Sequence, residues 1–370
     1  MQENQVSNRS RKRRRNENSI LLGSIILCIV TLSAITVCLV AVFRYRAAQL
    51  ENIEAMNTLE ELKNENEQLY TPAEVEAIVE AKTQAAAEKE HNILLTRLKE
   101  ELLSGESVIS VLRELFPDEI VLVDTNEYYF FPILDTLKHH SYLPENFVYT
   151  EDGLMEYYED GELISHMGID VSRYQDEIDW RKVASEDKIE YAFIRLGIRG
   201  YTEGEIMEDE RFEENINGAL NNDIPVGIYF FTQAISEEEA IEEAEYVLEM
   251  IEPYQVDYPI VLDVEALSNQ NARAGNLTKE ERTKYCIAFC ETIKDAGYHP
   301  MIYGNLKTFM LMLDMEQLEE FDKWFAFYNP ELYFPYDFSI WQYSDGGSIP
   351  GIKGEVDLNI SFENWGNDRD

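Results

Sequence analysis

Four acidic residues stand inside or at the end of short apolar segments that have the composition of buried strands. Asp170 and Asp357 each interrupt such a segment, and Asp263 and Glu265 close a third with only Val264 between them. Because side chains alternate along a strand, Asp263 and Glu265 point to the same side of it. Acids crowded into a buried site cannot all stay ionised, so at least one has a raised pKa and can act as a general acid near neutral pH.

The spacing of the paired acids does not fix a reaction by itself. Two residues along a strand span roughly 6.5 Å at the backbone, and side-chain rotamers then reach either the roughly 5–5.5 Å of retaining glycosidases or the longer inverting range. Single acids at strand ends also bond often to backbone groups or to arginine. The pattern alone therefore suits a hydrolase as well as a barrel that only binds its ligand.

The elements that must position these acids begin near residue 167, where short apolar strands alternate with amphipathic helices. This alternation predicts an α/β domain with a largely parallel sheet. Eight strands are predicted, at 167–171, 191–196, 226–231, 260–264, 301–303, 324–327, 338–343 and 356–360. Helices follow the first five strands, for example at 209–220, 236–251 and 278–296. We therefore expect a modified β/α barrel that has lost helices in its last third and carries the acids at its mouth.

The N-terminal end predicts a membrane anchor. Residues 1–19 form a basic tail, and residues 20–43 carry no charged side chain over a length sufficient for a helix to cross a bilayer. The basic flank places the N-terminus in the cytoplasm and the rest of the chain outside, as in a single-pass type II membrane protein. A cleaved signal peptide is the alternative, although its apolar region is usually shorter, about 7–15 residues.

A helical or coiled-coil stalk is predicted for residues 44–104, which are rich in Glu, Ala, Lys, Gln and Leu. Leu59, Leu62 and Leu69 define a weak coiled-coil seam. A parallel homodimer through the stalk and a lone solvated helix both fit that seam. Residues 105–165 then predict a small α+β linker domain without an assigned role, and the barrel domain spans 166–370.

Composition excludes several classes of function. The 31 Lys and Arg residues against 72 Asp and Glu residues give a net charge of −41, which is far too acidic for a nucleic-acid binder. His139 and His140 are adjacent but lack the ligand spacing of a metal site. Cys286 and Cys290 share one face of a predicted helix, which is typical of core residues rather than nucleophiles.

Eight short motifs, in order and without large gaps, resemble those of glycoside hydrolase family 25, the muramidases also called Chalaropsis-type lysozymes. The motifs are GIDVS at 168–172, Gln175 with IDW at 178–180, FIR at 193–195, GIYFF at 227–231, LDVE at 262–265, MIY at 301–303, WQY at 341–343 and VDLN at 356–359. The resemblance extends over about residues 168–365.

The resemblance implies a modified β/α barrel that cleaves the β-1,4 bond between N-acetylmuramic acid and N-acetylglucosamine in peptidoglycan. Glu265 matches the general acid of the family. Asp263 matches the carboxylate that assists attack at the anomeric carbon, either directly or through the acetamido group of the substrate. Asp170 and Asp357 match the flanking acids of the site. No metal or organic cofactor is implied for this hydrolysis.

Aromatic residues near the strand ends are candidates for stacking on sugar rings. Tyr229, Tyr303, Tyr328 and Trp341 are the predicted substrate-binding residues, although each could equally be core packing. The sequence departs from the resembled family at Asp176, where the family commonly has glycine. That departure affects the loop near the mouth and leaves the acid pair unchanged.

These features combine into one hypothesis, a muramidase held at the outer face of the cell membrane, as suits bacteria with thick peptidoglycan. The alternative is a non-catalytic, membrane-anchored module that binds wall glycan or scaffolds other proteins. Retention of all four acids argues against that alternative, because a barrel that only binds needs no proton donor.

Overall fold

The computed structural model describes two compact units of the chain, Met1–Glu106 and Ser107–Asp370. The residues that the structure describes are 44–60, 70–105, 107–185, 188–267 and 272–367. The first unit contains the predicted stalk, and the second contains the barrel together with the region that precedes it. Each unit is compact by itself.

The first unit is helical in its described part. Residues 44–60 form helix α1, and Pro72–Ser104 form helix α2. The groove between them is lined from both sides, by Ala48, Asn52, Ala55 and Leu59 of α1 and by Ile78, Val79, Ala86 and Ala87 of α2. The described part of the predicted seam therefore faces a second helix of the same chain. Leu62 and Leu69 lie outside the described residues, and the homodimer stays a prediction.

The predicted membrane segment, 20–43, also lies outside the described residues. Over the ranges that are described, none of the helices combines the length and the apolar character needed to cross a bilayer. The anchor therefore stays a prediction from the sequence.

Residues 107–165 have the predicted α+β content. They form helix α3 (Val108–Leu115), strands β1 (Glu119–Asp124) and β2 (Glu127–Pro132) in one antiparallel hairpin, and strands β3 (Phe147–Tyr149), β4 (Met155–Glu159) and β5 (Glu162–Leu163) in a three-stranded sheet. This region is not a separate linker domain, because it belongs to the same compact unit as the barrel. The Tyr142 ring stacks on Phe362 at 3.8 Å between centroids, and Phe147 packs edge-on against Trp341 at 5.3 Å.

The barrel contains the eight predicted strands in a closed sheet. They are β6 (His166–Val171), β7 (Tyr191–Arg199), β9 (Val226–Phe231), β10 (Ile260–Asp263), β11 (Pro300–Asn305), β12 (Asp322–Ala326), β13 (Ile340–Gly347) and β14 (Val356–Ser361). The sheet runs β6-β14-β13-β12-β11-β10-β9-β7, and pairing of β6 with β7 closes it. The sequence missed one short strand, β8 (Ile206–Glu208), which pairs antiparallel with the end of β7.

The last strand reverses direction. Strand β14 is antiparallel to both β13 and β6, whereas the other neighbouring barrel strands are parallel. Its first residues therefore lie at the same barrel end as the last residues of β6. Asp357, the second residue of β14, pairs in register with Asp170 of β6.

Helices follow the first four barrel strands rather than the first five. They are α4 (Trp180–Ala184), α5 (Phe212–Leu220), α6 (Glu237–Ile251) and α7 (Lys279–Asp295). After β11 the expected fifth helix is replaced by a π-helical turn, Thr308–Met312. Ser236 and Thr278 accept hydrogen bonds from backbone N–H groups as N-caps of α6 and α7, which defines where both helices begin. Cys286 and Cys290 are buried on α7, as predicted.

Alternation along the strands separates two apolar clusters. One lies between strands and helices, and the other fills the barrel interior with residues such as Phe193, Tyr229 and Trp324. Phe193 and Trp324 stack at 4.6 Å between ring centroids. Gly227 makes room for this packing, because a Cβ there would stand 2.2 Å from the Phe193 ring. Gly168 plays the same part beside Tyr191.

We expect Gly227→Ala to destabilise the barrel by about 1–3 kcal/mol, because an added methyl group overpacks a filled interior. Thermal or urea unfolding monitored by circular dichroism measures the change. Gly346→Ala is the matched control, since the nearest atom to its Cβ is 3.9 Å away, and its effect should stay within about 0.5 kcal/mol. Equal effects of the two substitutions would contradict the packing argument.

Candidate active site

All four acids singled out from the sequence line one cavity at the mouth of the barrel. The cavity has a volume of about 300 Å³. Asp170 comes from β6, Asp263 is the last residue of β10, and Asp357 lies near the start of β14. Glu265 follows β10 by two residues, so alternation continues past the strand end and turns its side chain to the same cavity. The four acids therefore converge on this cavity, as the sequence predicts.

Asp170 is the most firmly held of the four carboxylates. Its Oδ2 atom accepts hydrogen bonds of 2.8 Å from the side-chain amides of Gln342 and Asn359. The Trp324 indole donates to Asn359 Oδ1 at 2.8 Å, which orients that amide toward the carboxylate. Burial raises the pKa of Asp170, and hydrogen bonds from Asn359, Gln342 and Asp357 oppose that rise. These hydrogen bonds hold the buried Asp170 carboxylate in place and partly offset the effect of burial on its pKa.

Asp357 carries a proton beside this carboxylate. Burial and then the charge of Asp170 raise the pKa of Asp357, and its hydrogen bond to Asp170 raises it further. The two acids therefore share one proton, which Asp357 donates to Asp170.

Asp263 differs from Asp170 in its hydrogen bonding. It is buried, and among the described residues its Oδ1 atom has no hydrogen-bond partner. Burial raises the pKa of Asp263 well above its usual range, and the charges of Glu265 and Asp170 add to the effect. Arg195 opposes the rise. One oxygen of Asp263 is therefore buried without a hydrogen-bond partner in the described part of the chain, although the side chain lines the cavity.

Glu265 stands where the cavity opens to solvent. Its side chain remains accessible there, although protein surrounds most of it. That partial burial, followed by the charge of Asp170, raises the pKa of Glu265, and Arg195 opposes the rise. A carboxyl group that is both accessible and inclined to hold its proton can donate that proton to a ligand.

Arg195 is a site residue that the sequence analysis quoted only as part of a motif. It follows Phe193 by two positions on β7, and this spacing turns its side chain into the barrel. Its Nε and Nη2 atoms contact Asp209 Oδ2 at 2.7 and 2.6 Å. Backbone N–H groups of Arg173 and Arg211 donate to the same Asp209 carboxylate. Arg195 is thereby fixed as the cation that offsets the acids.

Three of the four predicted aromatic residues line the cavity. Tyr229 and Tyr303 are largely buried in its wall, and Tyr328 is half exposed at its rim. The hydroxyl groups of Tyr303 and Tyr328 both donate to Gln342 Oε1 at 2.7 Å. These hydroxyls orient the amide that in turn binds Asp170.

Trp341 is a correction, because its side chain is fully buried and points away from the cavity. Its indole N–H donates to the carbonyl of Phe327 at 2.9 Å. Trp324 lines the cavity instead. It pairs in register with the inward residue Tyr303, whereas Trp341 pairs with the outward residue Phe325. The alternation of inward and outward side chains along each strand is the sequence signal that distinguishes the two tryptophans.

Two exposed tyrosines at the mouth were missed by the sequence analysis. Tyr174 and Tyr201 both line the cavity and present accessible rings. The Arg195 guanidinium lies 5.0 Å from the Tyr174 ring centroid, and Tyr201 packs edge-on against Phe231 at 5.9 Å. Both come from loops after strands, where apolar periodicity carries no information about function.

Asp176 is explained by its backbone. Its φ of 53° lies in the left-handed region that favours glycine, the residue that the resembled family commonly has there. The side chain forms an ion pair with Arg211 and is not among the residues that line the cavity. The departure therefore changes the surface charge and not the acids of the site.

No group of three or more His, Cys, Asp or Glu residues within the described ranges is arranged to hold a metal ion. His139 and His140 instead bond through their Nε2 atoms to the carbonyls of Leu134 and Phe334.

The part of the chain that carries these acids is similar to known proteins. The sequence model of the family described as glycosyl hydrolases family 25 matches residues 169–352. YegX of Escherichia coli K12 is 31% identical over 205 residues, which are 52% of this chain and 68% of YegX. The autolytic lysozyme of Clostridium acetobutylicum is 25% identical over 194 residues, 52% of this chain and 54% of that protein. The solved structure of the modular autolysin LytC from Streptococcus pneumoniae matches with a TM-score of 0.48 and a sequence identity of 24%. The match covers 65% of this chain and 57% of the LytC chain.

The crowding of acids predicts a stability change with a defined pH dependence. The pKa of Asp263 is higher in the folded protein than in the unfolded chain, where it is about 3.9. Below the unfolded pKa the acid is protonated in both states and costs no stability. As the pH rises through the folded pKa, that stability of the folded protein is lost. We expect Asp263→Asn to raise the free energy of unfolding at neutral pH by at least about 1 kcal/mol, since a shift of one pKa unit corresponds to about that much.

The gain should disappear as the pH falls toward about 4, where the acid is protonated in both states. Urea unfolding from acid to neutral pH measures it. Asp118→Asn, at an exposed carboxyl group, is the control and should show no such trend. A loss of stability at neutral pH on Asp263→Asn would contradict the raised pKa.

Proposed function

The chain belongs to glycosyl hydrolases family 25, and from this premise we propose that it is a muramidase that hydrolyses the β-1,4 bond between N-acetylmuramic acid and N-acetylglucosamine in peptidoglycan. It is a glycoside hydrolase by its family. The observation that carries the proposal is the placing of Glu265 and Asp263 in one cavity with Asp170 and Asp357, with the pKa of each acid raised.

Glu265 acts as the general acid in this proposal. The oxygen of the departing sugar needs a proton as the glycosidic bond breaks, and Glu265 holds one at the open end of the cavity. The raised pKa of Glu265 favours its protonated form. Once the bond has broken, the resulting carboxylate can take a proton from the attacking water.

Asp263 stabilises the positive charge that develops at the anomeric carbon. The Asp263 side chain lines the cavity, where its carboxylate can act on that carbon directly or through the acetamido group beside it. Asp263 and Glu265 titrate as a pair, so the sugar's developing positive charge favours the state with Asp263 ionised and the proton on Glu265. Arg195 assists that state by lowering the pKa of Asp263.

Asp170 and Asp357 act on the pair through charge. Their shared proton leaves about one negative charge beside the reacting acids, and the charge of Asp170 raises the pKa of both Glu265 and Asp263. Neither is proposed as the proton donor, because Asp170 already accepts two amide hydrogen bonds and Asp357 already donates to Asp170.

The cellular setting is also a proposal. The basic tail at 1–19 and the uncharged segment at 20–43 support an enzyme that is anchored in the cell membrane and acts outside it on the wall. The helical residues 44–60 and Pro72–Ser104 then lie between membrane and barrel in the sequence.

We expect Glu265→Gln to lower the rate of peptidoglycan hydrolysis by about 10²–10⁴-fold, because the amide has nearly the same shape but cannot donate the proton. Release of new reducing ends on N-acetylmuramic acid measures the reaction and distinguishes it from amidase or peptidase action. Glu331→Gln, at an exposed glutamate outside the cavity, should retain full activity. If the wild-type protein binds cell wall but releases no such ends, the proposed hydrolase activity is wrong and the protein is a binding module.

The anchor is tested by fractionation of a bacterial host that expresses the full chain. The protein should sediment with membranes, and protease added outside should remove the barrel while sparing the basic tail. Recovery of a soluble product that begins near residue 45 would show instead that the apolar segment is a cleaved signal peptide.

A further inference from the structure

A second groove opens directly beside the catalytic cavity. It has a volume of about 510 Å³ and shares Glu265, Tyr303 and Tyr328 with that cavity. Its opposite wall comes from outside the barrel, from Ile109 and Arg113 of α3 and from Leu122 and Val123 of β1. These four residues precede the part of the chain, 169–352, that matches the family. The groove therefore joins the catalytic acid to a surface that is an addition to the family barrel.

This added wall is fixed to the barrel by polar contacts. Lys307, which lies in the groove, forms an ion pair of 2.7 Å with Asp124 at the end of β1. The backbone N–H of Val121 donates to the Tyr333 hydroxyl at 2.7 Å, and the Arg113 guanidinium lies 3.9 Å from the Tyr333 ring centroid. The groove is thus a built feature rather than a gap between loosely placed parts.

The lining has the chemistry of a sugar-binding surface. Apolar groups of Ile109, Val123 and Phe327 form its sides, and the half-exposed ring of Tyr328 stands where the groove meets the cavity. Polar groups on Asn305, Arg113 and Lys307 are spaced between them; the full lining also includes Leu122, Leu306 and Ala326. Sugar rings present apolar faces and hydroxyl edges, which such a mixed lining can contact together.

We propose that this groove binds sugar residues of the glycan strand that continue beyond the bond held in the catalytic cavity, so that α3 and β1 extend the substrate-binding cleft. The inference rests on the proposed muramidase function, and the continuity of the groove with Glu265 identifies its occupant. A polymeric strand cut at the cavity must leave it along an open surface, and the groove is such a surface beginning at the general acid. Region 107–165 thereby acquires a role in substrate binding.

Binding away from the reacting bond affects long and short substrates differently. A strand long enough to fill the groove gains affinity there, whereas a short oligosaccharide that ends within the cavity gains nothing. The added wall should therefore matter for polymeric glycan and not for a tetrasaccharide. A purely structural role would affect both substrates alike.

The test uses the full chain with the double substitution Ile109→Gln and Val123→Gln, which removes the apolar side of the wall without altering charge near Glu265. Val108→Gln with Val148→Gln is the matched control, because Val108 and Val148 are each 46% exposed in the same region and do not line the groove, while Val123 is 37% exposed. The readout is kcat/KM for release of reducing ends from peptide-free glycan strands and from a tetrasaccharide.

The groove variant should lose about tenfold on the strands, or about 1.4 kcal/mol, and nothing on the tetrasaccharide, while the control variant keeps both activities. Equal loss on both substrates, or no loss on the strands, would each overturn the proposal.

A binding measurement separates this inference from the proposed function. In the Glu265→Gln background, where turnover is about 10²–10⁴-fold slower, the same pair of substitutions should weaken the affinity for peptide-free strands about tenfold relative to the control pair. Unchanged affinity there would overturn the groove even if the wild type is an active muramidase. If the affinity weakens but the wild type is inactive, the groove is still a glycan-binding site and only the proposed hydrolysis is refuted.

Discussion

The electrostatic repulsion among four carboxyl groups at one end of the barrel is the constraint on which the site depends. Asp170, Asp263, Glu265 and Asp357 all point into one cavity, and Arg195 is the cation that opposes the rise in pKa of the first three. In water these acids would separate and ionise. The closed sheet prevents that separation, so the pKa of each acid is raised above its usual range.

The barrel interior supplies the rigidity that this arrangement needs. Trp324 packs against Phe193 and Tyr303 below the cavity, and its indole N–H also orients Asn359, which binds Asp170. A single side chain thus links aromatic packing to the position of a carboxylate. Movement of the floor would disturb hydrogen bonds at the site, which explains why dense packing extends to the cavity itself.

Much of this could be predicted because it depends on local periodicity. Alternation along the strands indicated the eight barrel strands and brought Asp263 and Glu265 to one face. The prediction of Trp341 was wrong because Trp341 shares the outward face of its neighbour Phe325, whereas Trp324 shares the inward face of Tyr303. Contacts between distant parts of the chain were beyond reach: Val121 binds the Tyr333 hydroxyl across 212 residues, and no local pattern encodes that pairing.

Residues 107–165 are not a linker, because they cover a side of the barrel that lacks helices in the described chain. A strand in a β/α barrel is normally covered by the helix that follows it, but the last three strands here have no such helices in the described chain. Their outward aromatic residues, such as Trp341, would then face water, at a large cost in apolar exposure. Phe147 and Tyr142 cover that side instead. Because this covering region must lie against β12–β14, its first helix and strand reach the rim of the cavity, and the loss of helices thereby creates a wall that the family barrel alone lacks.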